Sequence, residues 1–361
     1  MSNDLTTLIL DQVKLALKEK QALSIHGSGS CDFLQPEYKE TLHIDMSQHS
    51  GILDYQPSEL NIKARAGTPI AEIKQALAEQ HQRLPTDFPS YADTTTLGGA
   101  IALGHTGPSR PFQFAIRDHV LGASLIDGRA ELLHCGGQVM KNVAGYDVSR
   151  LLTGSRGTLG PVLDLTIKVL PIAELSITLC LELDENEAIQ QMNHLAGLSL
   201  PLAATLFYQR TLYIRLEGTE SGLQHARQKI GGEVLENAET FWQQITQHQH
   251  EFFQQPTALW RVIVPTAQAS FKLQHQHDSM IDWCGGLRWV RADSITQQDK
   301  ESIAQCAGYF SAFRHQPDDS ALICADQIST LAQQMNRKVK NAFDPQQLFN
   351  PRLSQFFYTT T

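Results

Sequence analysis

The hydrophobic pattern of the N-terminal part of the chain predicts alternating helices and strands. Between residues 5 and 17 every fourth residue is apolar, which is typical of an amphipathic helix. A short apolar run follows at residues 22–25, and residues 60–66 alternate between apolar and polar, which indicates a strand with one buried face. Gly67, Thr68 and Pro69 then predict a helix with Thr68 as its N-cap and Pro69 at its first position. An α+β fold is expected for this region.

The next apolar segments predict a hairpin that leads into a glycine-rich loop. Residues 120–126 form an apolar run, Asp127-Gly128 is a strong two-residue turn signal, and the chain returns through residues 131–135. Residues 163–169 alternate again and predict another buried strand. Between the hairpin and this strand lie glycines 136, 137, 145, 154, 157 and 160.

From residue 175 onward the pattern predicts a second domain. Strands expected at 175–183, 203–208, 212–216 and 233–235 alternate with helices expected at 184–195 and 219–230, in the βαββαβ order of the ferredoxin-like unit. Less regular strands at 260–264 and 287–290, a helix after residue 294 and a helix at 329–340 follow. We therefore expect a first domain at 1–171, a cap domain at 172–315 and a C-terminal segment, 316–361, that returns to the first domain.

Glycine-centred loops are the candidate ligand sites. In the stretch 136–171 glycine would permit positive φ angles and close approach of the backbone to a large ligand, with a tight structural turn as the alternative. Residues 27–30 read Gly-Ser-Gly-Ser after a predicted strand and would form a backbone nest for a pyrophosphate, with a flexible turn as the alternative. This loop is not a Rossmann fingerprint, because the position of the third glycine falls on Asp32.

Residues 99–106 match the P-loop sequence pattern except at one position. His105 stands where a P-loop has lysine, and without that cation we reject a nucleoside triphosphate site. Gly98 and Gly99 would instead let a flat ligand lie against the start of a helix.

Composition and charge narrow the class of protein. Of the 361 residues, 42% are hydrophobic and 19% charged, as in ordinary soluble proteins, and a net charge of −9 argues against a nucleic-acid binder. The N-terminus does not have the pattern of a signal peptide, and no apolar run approaches the roughly 20 residues that cross a bilayer. Six scattered cysteines without a C-x-x-C pair argue against an iron–sulfur or zinc-ribbon motif, so we expect reduced thiols and a cytoplasmic location.

Two His-x-His pairs are the candidate metal ligands. On a strand, His248/His250 and His275/His277 would each point to one side, but no acidic residue is spaced as a convincing third ligand. We expect a structural or solvated role for them and no metal site.

Taken together, the glycine-centred stretches occur in a fixed order and resemble the FAD-binding domain of the vanillyl-alcohol oxidase (PCMH-type) flavoprotein family. The resemblance is carried by GSGS at 27–30, TLGG at 96–99, RDHVLG at 117–122, KNVAGYDVSRLLTGSRGTLG at 141–160 and FDPQQLFNP at 343–351. It covers most of residues 20–171 and the C-terminal end, whereas the cap matches weakly. It implies a PCMH-type FAD-binding domain of two α+β subdomains, a ferredoxin-like α+β cap and FAD as cofactor.

The family implies a contact with FAD at each matched position. The GSGS loop would hold the pyrophosphate, residues 96–99 would lie beside the flavin and ribityl chain, and residues 157–162 would hold the adenosine half. For Arg117 and Asp118 a local ion pair is the alternative. The cofactor-binding residues implied by the resemblance are Gly27, Ser28, Gly29, Ser30, Thr96, Leu97, Gly98, Gly99, Ser109, Arg117, Asp118, Lys141, Asn142, Tyr146, Gly157, Thr158, Gly160 and Val162.

The sequence also departs from the family. Covalent attachment there usually uses a histidine just after the paired glycines of the pyrophosphate loop; a serine stands here and His26 precedes the loop, so we expect non-covalent FAD. Catalytic relatives carry a GEHG-type stretch with metal- and substrate-binding histidines, whereas residues 307–314 read AGYFSAFR. Tyr309 is a candidate proton acceptor and Arg314 a candidate carboxylate anchor; the catalytic residues are otherwise unknown.

The resemblance implies an FAD-binding subunit of a complex that oxidises glycolate, a 2-hydroxy acid, to glyoxylate by hydride transfer to flavin N5. The expected partners are a homologous larger flavoprotein subunit and an iron–sulfur subunit that takes the electrons, with only peripheral contact at the inner face of the cytoplasmic membrane. Two alternatives stay open: a non-catalytic flavin-binding or scaffold subunit whose homologous partner carries the substrate site, or a stand-alone FAD oxidase of another small 2-hydroxy acid or alcohol.

Overall fold

The computed structural model describes residues 3–34, 42–137, 147–314, 329–351 and 353. These residues form two compact units, the first within residues 1–106, 115–172 and 325–361, and the second within residues 107–114 and 173–324. Residues 107–114, which the sequence analysis assigned to the first domain, belong to the second unit. The predicted domain limits at residues 171 and 315 otherwise stay a prediction.

Helices and strands alternate in the described part of the first 172 residues. In chain order they are α1 (Thr6–Glu19), β1 (Leu23–His26), β2 (Leu42–Asp45), β3 (Ile52–Gln56), β4 (Asn61–Arg65), α2 (Ile70–Ala78), β5 (Gln82–Arg83), α3 (Leu97–Leu103), α4 (Arg110–Gln113), β6 (Val120–Ile126), β7 (Leu132–Gly136), α5 (Val148–Leu151), β8 (Val162–Lys168) and β9 (Leu170–Pro171).

An antiparallel sheet in the order β3-β4-β8-β6-β7 forms the centre of the first unit. One hydrophobic cluster packs apolar residues of β4, β6 and β8 against α2 and α3. A second cluster joins α1, the parallel pair β1-β2 and the C-terminal residues Leu348 and Phe349. The second cluster also includes Ile126 of β6 and Leu163 of β8, so both clusters share the central sheet.

The predicted N-cap of α2 is wrong. Helix α2 begins at Ile70, and Pro69 occupies the cap position without a side-chain hydrogen bond. Thr68 is fully buried, and its Oγ1 accepts a hydrogen bond of 2.9 Å from the Gly51 backbone N–H. The hydroxyl therefore joins the start of β3 to the end of β4, a tertiary contact that a local capping pattern does not reveal.

The second unit adds the remaining strands and most of the remaining helices. In chain order they are β10 (Leu175–Glu182), α6 (Glu185–Ala196), β11 (Leu202–Tyr208), β12 (Thr211–Gly218), α7 (Glu220–Ile230), β13 (Glu233–Val234), α8 (Ala238–Thr246), α9 (Glu251–Gln254), β14 (Leu259–Ile263), β15 (Gln276–Asp282), β16 (Leu287–Ala292), α10 (Gln297–Gln305) and β17 (Tyr309–Arg314). Helix α11 (Thr330–Phe343) belongs to the first unit.

The strands of the second unit form one antiparallel sheet in the order β13-β10-β12-β11-β15-β16-β14-β17. Its first four strands have the ferredoxin-like order, with α6 and α7 packed on them, as the sequence predicted. A separate core cluster lies under the other half, between its strands and α10. In the ranges that the structure describes, no helix is both long and apolar enough to span a membrane.

Candidate functional site

A groove in the first unit is lined by several separate segments of the chain. They are residues 25–32 in β1 and the loop after it, residues 96–103 around α3, residues 156–162 before and in β8, and the single residues Met46 and Ala66. The groove contains about 760 Å³ of empty space, part of it open to solvent.

The loop after β1 contains hydrogen-bond donors for which the described part of the chain provides no acceptor. The backbone N–H groups of Ser28, Gly29 and Ser30 have no acceptor among the described residues. Ser28 Oγ is buried, also without a partner in the described structure. Gly29 has a φ of 76°, a left-handed conformation that favours glycine. A buried hydroxyl is rarely left unpaired, and neighbouring backbone N–H groups of such a loop can bind an anion, so this loop fits an anion that accepts several hydrogen bonds.

Two adjacent glycines lie in the first turn of α3, where this helix lines the groove. Thr96 caps the helix, its Oγ1 accepting a hydrogen bond of 3.1 Å from Gly99 N–H. Gly98 N–H donates to the Ala66 carbonyl at 2.7 Å, and a Cβ at Gly98 would lie 2.7 Å from Ala66 Cβ. A Cβ at Gly99 would meet only Thr96 Oγ1, at 3.0 Å. Gly98 thus permits close packing on the residue after β4, whereas Gly99 leaves space free in the groove.

The loop before β8 is held against α3 by backbone hydrogen bonds. Gly154 N–H donates to Ile101 O at 3.0 Å, and Arg156 N–H donates to Ala102 O at 2.9 Å. Gly157 and Gly160 have φ angles of 70° and 140°. A Cβ at Gly160 would collide with the carbonyl oxygen of Ile126, so only glycine fits there. The loop therefore forms a wall of backbone close to the end of β6.

The charges at the groove come from a small number of side chains. His26 Nε2 lies 2.5 Å from Ser24 Oγ and 3.3 Å from His43 Nδ1. Burial lowers the pKa of His26 below its ordinary 6.5, although Asp32 opposes this effect. Arg156, whose Nη1 donates to Leu34 O at 3.4 Å, is therefore the permanent cation among the described lining residues.

The structure brings most of the predicted cofactor-binding residues together at this groove. Leu97 is buried in the hydrophobic core instead, and Thr158 is buried with its Oγ1 donating to Ser155 O at 2.6 Å. Lys141, Asn142 and Tyr146 lie outside the described residues. The predicted residues that line the groove are Gly27, Ser28, Gly29, Ser30, Thr96, Gly98, Gly99, Gly157, Gly160 and Val162.

Besides Leu97 and Thr158, three further predicted cofactor-binding residues do not line the groove. Ser109 is fully buried and belongs to the second unit, directly before α4. Arg117 is exposed, with its Nε 3.8 Å from Asp118 Oδ1, and Asp118 Oδ2 accepts a hydrogen bond of 3.1 Å from Ala115 N–H. The structure thus contains the local ion pair that was the alternative reading. A role in cofactor binding stays a prediction for all three.

The two candidate catalytic residues lie at opposite ends of β17 in the second unit. Tyr309 is 54% exposed. Arg314 Nη1 donates a hydrogen bond of 2.8 Å to the carbonyl oxygen of Phe253. At least one donor of this guanidinium is therefore used within the unit, and the part of Arg314 in substrate binding remains a prediction.

The histidine pairs have other contacts where the structure describes them. His250 Nδ1 accepts a hydrogen bond from Phe252 N–H at the start of α9, and the His248 ring stacks on Phe253 at a centroid distance of 4.0 Å. His277 Nε2 lies 3.0 Å from Asp293 Oδ1. Among the described residues no group of three histidine, cysteine, aspartate or glutamate side chains could hold a metal ion.

Sequence reasoning missed several residues of the groove: Ile25, His26, Cys31, Asp32, Met46, Ala66, Ala102, Leu103 and Arg156. Some of them could have been found, because Ala102 lies one helical turn beyond Gly98 on the same face of α3. Met46 and Arg156 carry no local signal, since only tertiary packing brings their segments to the groove.

Comparison with known proteins shows which protein family the chain resembles. A family model described as an FAD binding domain matches residues 8–136. The glycolate oxidase subunit GlcE of Escherichia coli (strain K12) is 37% identical over 96% of this chain and 97% of its own length. The glycolate oxidase subunit GlcD of Bacillus subtilis (strain 168) is 29% identical over 48% of this chain, a match that covers 37% of that relative.

A solved structure supports the same fold. An alkyldihydroxyacetonephosphate synthase superposes with a TM-score of 0.66 over 95% of this chain and 74% of its own, at 14% identity. The fold, the matched domain and the nearly full-length similarity to GlcE agree with the resemblance seen in the glycine-centred motifs. The chain therefore belongs to the glycolate oxidase subunit GlcE family of PCMH-type, FAD-dependent oxidoreductases.

Proposed function

We propose that this chain is the FAD-binding subunit of a complex that oxidises glycolate to glyoxylate, and that it holds FAD non-covalently along the groove of the first unit. The observation that carries the proposal is a set of donors in the loop after β1 that have no partner among the described residues: the N–H groups of residues 28–30 and the hydroxyl of Ser28. The similarity to GlcE over almost the whole length of both chains supports the same assignment.

Each wall of the groove suits a different part of FAD. The donors of residues 28–30 would bind the diphosphate, with Arg156 as the neighbouring cation. The open space over Gly99 would admit the part of the cofactor next to the ribityl chain. The backbone around Gly157 and Gly160 would contact the adenosine half. His26 Nε2 lies within hydrogen-bonding distance of Ser24 and His43, which agrees with non-covalent binding.

Bound FAD supplies the hydride acceptor for oxidation of a 2-hydroxy acid. The residues of this chain bind and orient it. The remaining requirements are a cation for the substrate carboxylate and a base within about 3 Å of its hydroxyl. Arg314 is our candidate for the cation, and Tyr309 is our candidate for the base.

A second candidate function is a flavin-binding subunit whose homologous partner carries the substrate site. Residues 307–314 contain no histidine or glutamate, and Arg314 Nη1 already donates to Phe253 O. The relative named GlcD, whose sequence similarity covers 48% of this chain, suggests such a partner. We further propose that an iron–sulfur subunit accepts the electrons and that the complex meets the membrane only peripherally.

Anaerobic titration with glycolate distinguishes the two functions. The purified chain is loaded with FAD, and the visible flavin absorption is recorded as glycolate is added, first alone and then with its co-purified partner subunits. Bleaching in the isolated chain supports a substrate site here, whereas bleaching only with the partners supports the second candidate. A chain that takes up no FAD contradicts both.

A further inference from the structure

The C-terminal end of α11 contains a lysine whose charge lies wholly inside the first unit. Lys340 is fully buried, and its Nζ donates to three acceptors: Thr158 O at 2.5 Å, Asp344 Oδ2 at 2.6 Å and Phe349 O at 3.1 Å. Burial lowers the pKa of Lys340, while Asp344 opposes the shift. A buried ammonium group requires such a complete set of partners, so its position is closely defined.

Asp344 turns the chain back after α11. Its carboxylate accepts hydrogen bonds from Leu348 N–H at 2.9 Å and Phe349 N–H at 2.8 Å, besides the one from Lys340. The turn of the β6-β7 hairpin also contacts the end of α11, because Gly128 N–H donates a hydrogen bond of 2.8 Å to Phe343 O. Residues 344–349 are therefore fixed relative to both α11 and the central sheet.

Asn350 connects this turn to two walls of the groove. Its Oδ1 accepts a hydrogen bond of 2.9 Å from Ile25 N–H, and its own N–H donates to Leu23 O at 2.9 Å. Its Nδ2 donates to Arg156 O at 2.7 Å. A single buried side chain thus contacts β1, directly before the Gly-Ser-Gly-Ser loop, and the residue directly before Gly157.

We propose that Lys340, Asp344 and Asn350 form a C-terminal clasp that sets the spacing between the two loops across which FAD is bound. They are positioning residues, since they act through the backbone of the loops. The inference rests on the proposed placement of FAD in this groove. It assigns to the C-terminal end of the chain a direct part in cofactor affinity, although Asn350 lies 194 positions after Arg156.

The alternative is that these bonds only stabilise the fold. Two features favour the clasp. Asn350 bonds to backbone groups of two residues that line the groove, Ile25 and Arg156. Lys340 bonds to the carbonyl oxygen of Thr158, the residue directly after the groove-lining Gly157. In addition, a Cβ at Gly157 would lie 2.7 Å from Asn350 Nδ2, so the glycine of the loop leaves the space that the amide fills.

The test compares two glycine substitutions in the same segment. Asn350 and Gln347 both have left-handed backbones, with φ of 44° and 56°, so Asn350→Gly and Gln347→Gly remove a side chain at comparable backbone cost. Asn350→Gly loses both side-chain bonds to the groove walls, whereas within the described structure the Gln347 side chain bonds to Asn341 and to the carbonyl oxygen of Asp344, neither of which lines the groove. Asn350→Asp is a second variant, which keeps the acceptor for Ile25 and replaces the donor to Arg156 by an oxygen.

The readouts are the Kd for FAD and the Kd for ADP, measured with full-length chains at a temperature where each FAD-free variant is folded by circular dichroism. We expect Asn350→Gly and Asn350→Asp each to raise both Kd values by about tenfold, which corresponds to the loss of one or two hydrogen bonds, and Gln347→Gly to leave them unchanged. Unchanged Kd values in the Asn350 variants, with only a lower unfolding temperature, would overturn the clasp. A wild-type chain that binds no FAD would overturn the proposed function, and the clasp with it.

Discussion

Single residues of the groove differ in how far the sequence could predict them. Ser28 and Gly29 belong to a local motif, so their part in a nest follows from neighbouring residues alone. Arg156 and Met46 reach the groove only because distant strands and helices pack together, and a local pattern contains no information on such contacts. Ser109, Arg117 and Asp118 illustrate the opposite case, because their motif matches the family while their side chains lie off the groove.

Gly99 offers a residue-scale test of where the ligand lies. In Gly99→Ala the new methyl group meets only Thr96 Oγ1, so we expect the free energy of unfolding of the FAD-free chain to stay nearly the same. The methyl occupies space in the groove, and we expect the Kd for FAD to rise about tenfold or more. Fluorescence titration of FAD measures this change.

Gly98→Ala, at the preceding position, is the comparison variant for an effect on folding rather than on ligand binding. Its methyl group would lie 2.7 Å from Ala66 Cβ, so we expect the variant to lose about 1–3 kcal/mol of folding free energy even without FAD. Wild-type affinity in Gly99→Ala would mean that FAD does not pass over α3.

Because His248 is buried, we expect the free energy of unfolding to depend on pH. Burial, followed by the charges of Arg314 and Arg261, holds its pKa well below 6.5 in the folded chain. The unfolded chain therefore binds the proton more tightly. The stability contributed by neutral His248 is full above the unfolded pKa and is lost as the pH falls below about 6.5, with a slope of up to about 1.4 kcal/mol per pH unit.

Thermal unfolding of His248→Asn checks this sign. Asparagine tolerates the left-handed φ of 55° at this position but cannot titrate. We expect a lower Tm for the variant at neutral pH, because the ring stacked on Phe253 is lost, and a weaker fall of Tm on acidification than in the wild-type chain. Parallel Tm curves for the two chains would contradict the assignment.

At the scale of elements, the sequence predicted best those with a regular period or a strong turn signal. Helix α1 and the order of β10 to β13 follow from apolar spacing. The hairpin β6-β7 was also predicted, but its two-residue turn at Asp127-Gly128 is wrong, because the loop spans residues 127–131. Strands β15 and β17 were missed for different reasons. Strand β15 is mostly polar, although it pairs with the neighbouring β16. Strand β17 mixes polar and aromatic residues and pairs with the distant β14. Helix α2 was predicted with the wrong cap, since Thr68 is used in tertiary structure instead.

The cap of α6 gives a prediction for one element. Asp184 Oδ1 accepts a hydrogen bond of 2.8 Å from Glu187 N–H, and Glu187 Oε2 accepts one of 2.8 Å from Asp184 N–H. We expect Asp184→Ala to lower the free energy of unfolding by about 1 kcal/mol and Asp184→Asn to lower it much less, because asparagine can still cap the helix. Urea denaturation measures both. An alanine variant as stable as the wild-type chain would contradict a stabilising cap.

At the scale of the whole molecule, we propose that FAD binds to the first unit, where the glycine-centred loops lie. The family resemblance was visible in the sequence because glycine positions that shape a binding loop are local. The C-terminal clasp was not visible, since FDPQQLFNP gives no indication that Asn350 bonds to Ile25 and Arg156. Contacts between segments so far apart in sequence require the folded structure.

Amide hydrogen exchange tests the central claim most directly, because that claim concerns particular backbone N–H groups. Residues 28–30 have no acceptor among the described residues, so their amides are expected to exchange rapidly in the FAD-free chain. With saturating FAD we expect a peptide covering residues 27–31 to become strongly protected, together with one covering residues 156–162. FAD that binds without slowing exchange in the first of these peptides would contradict the account.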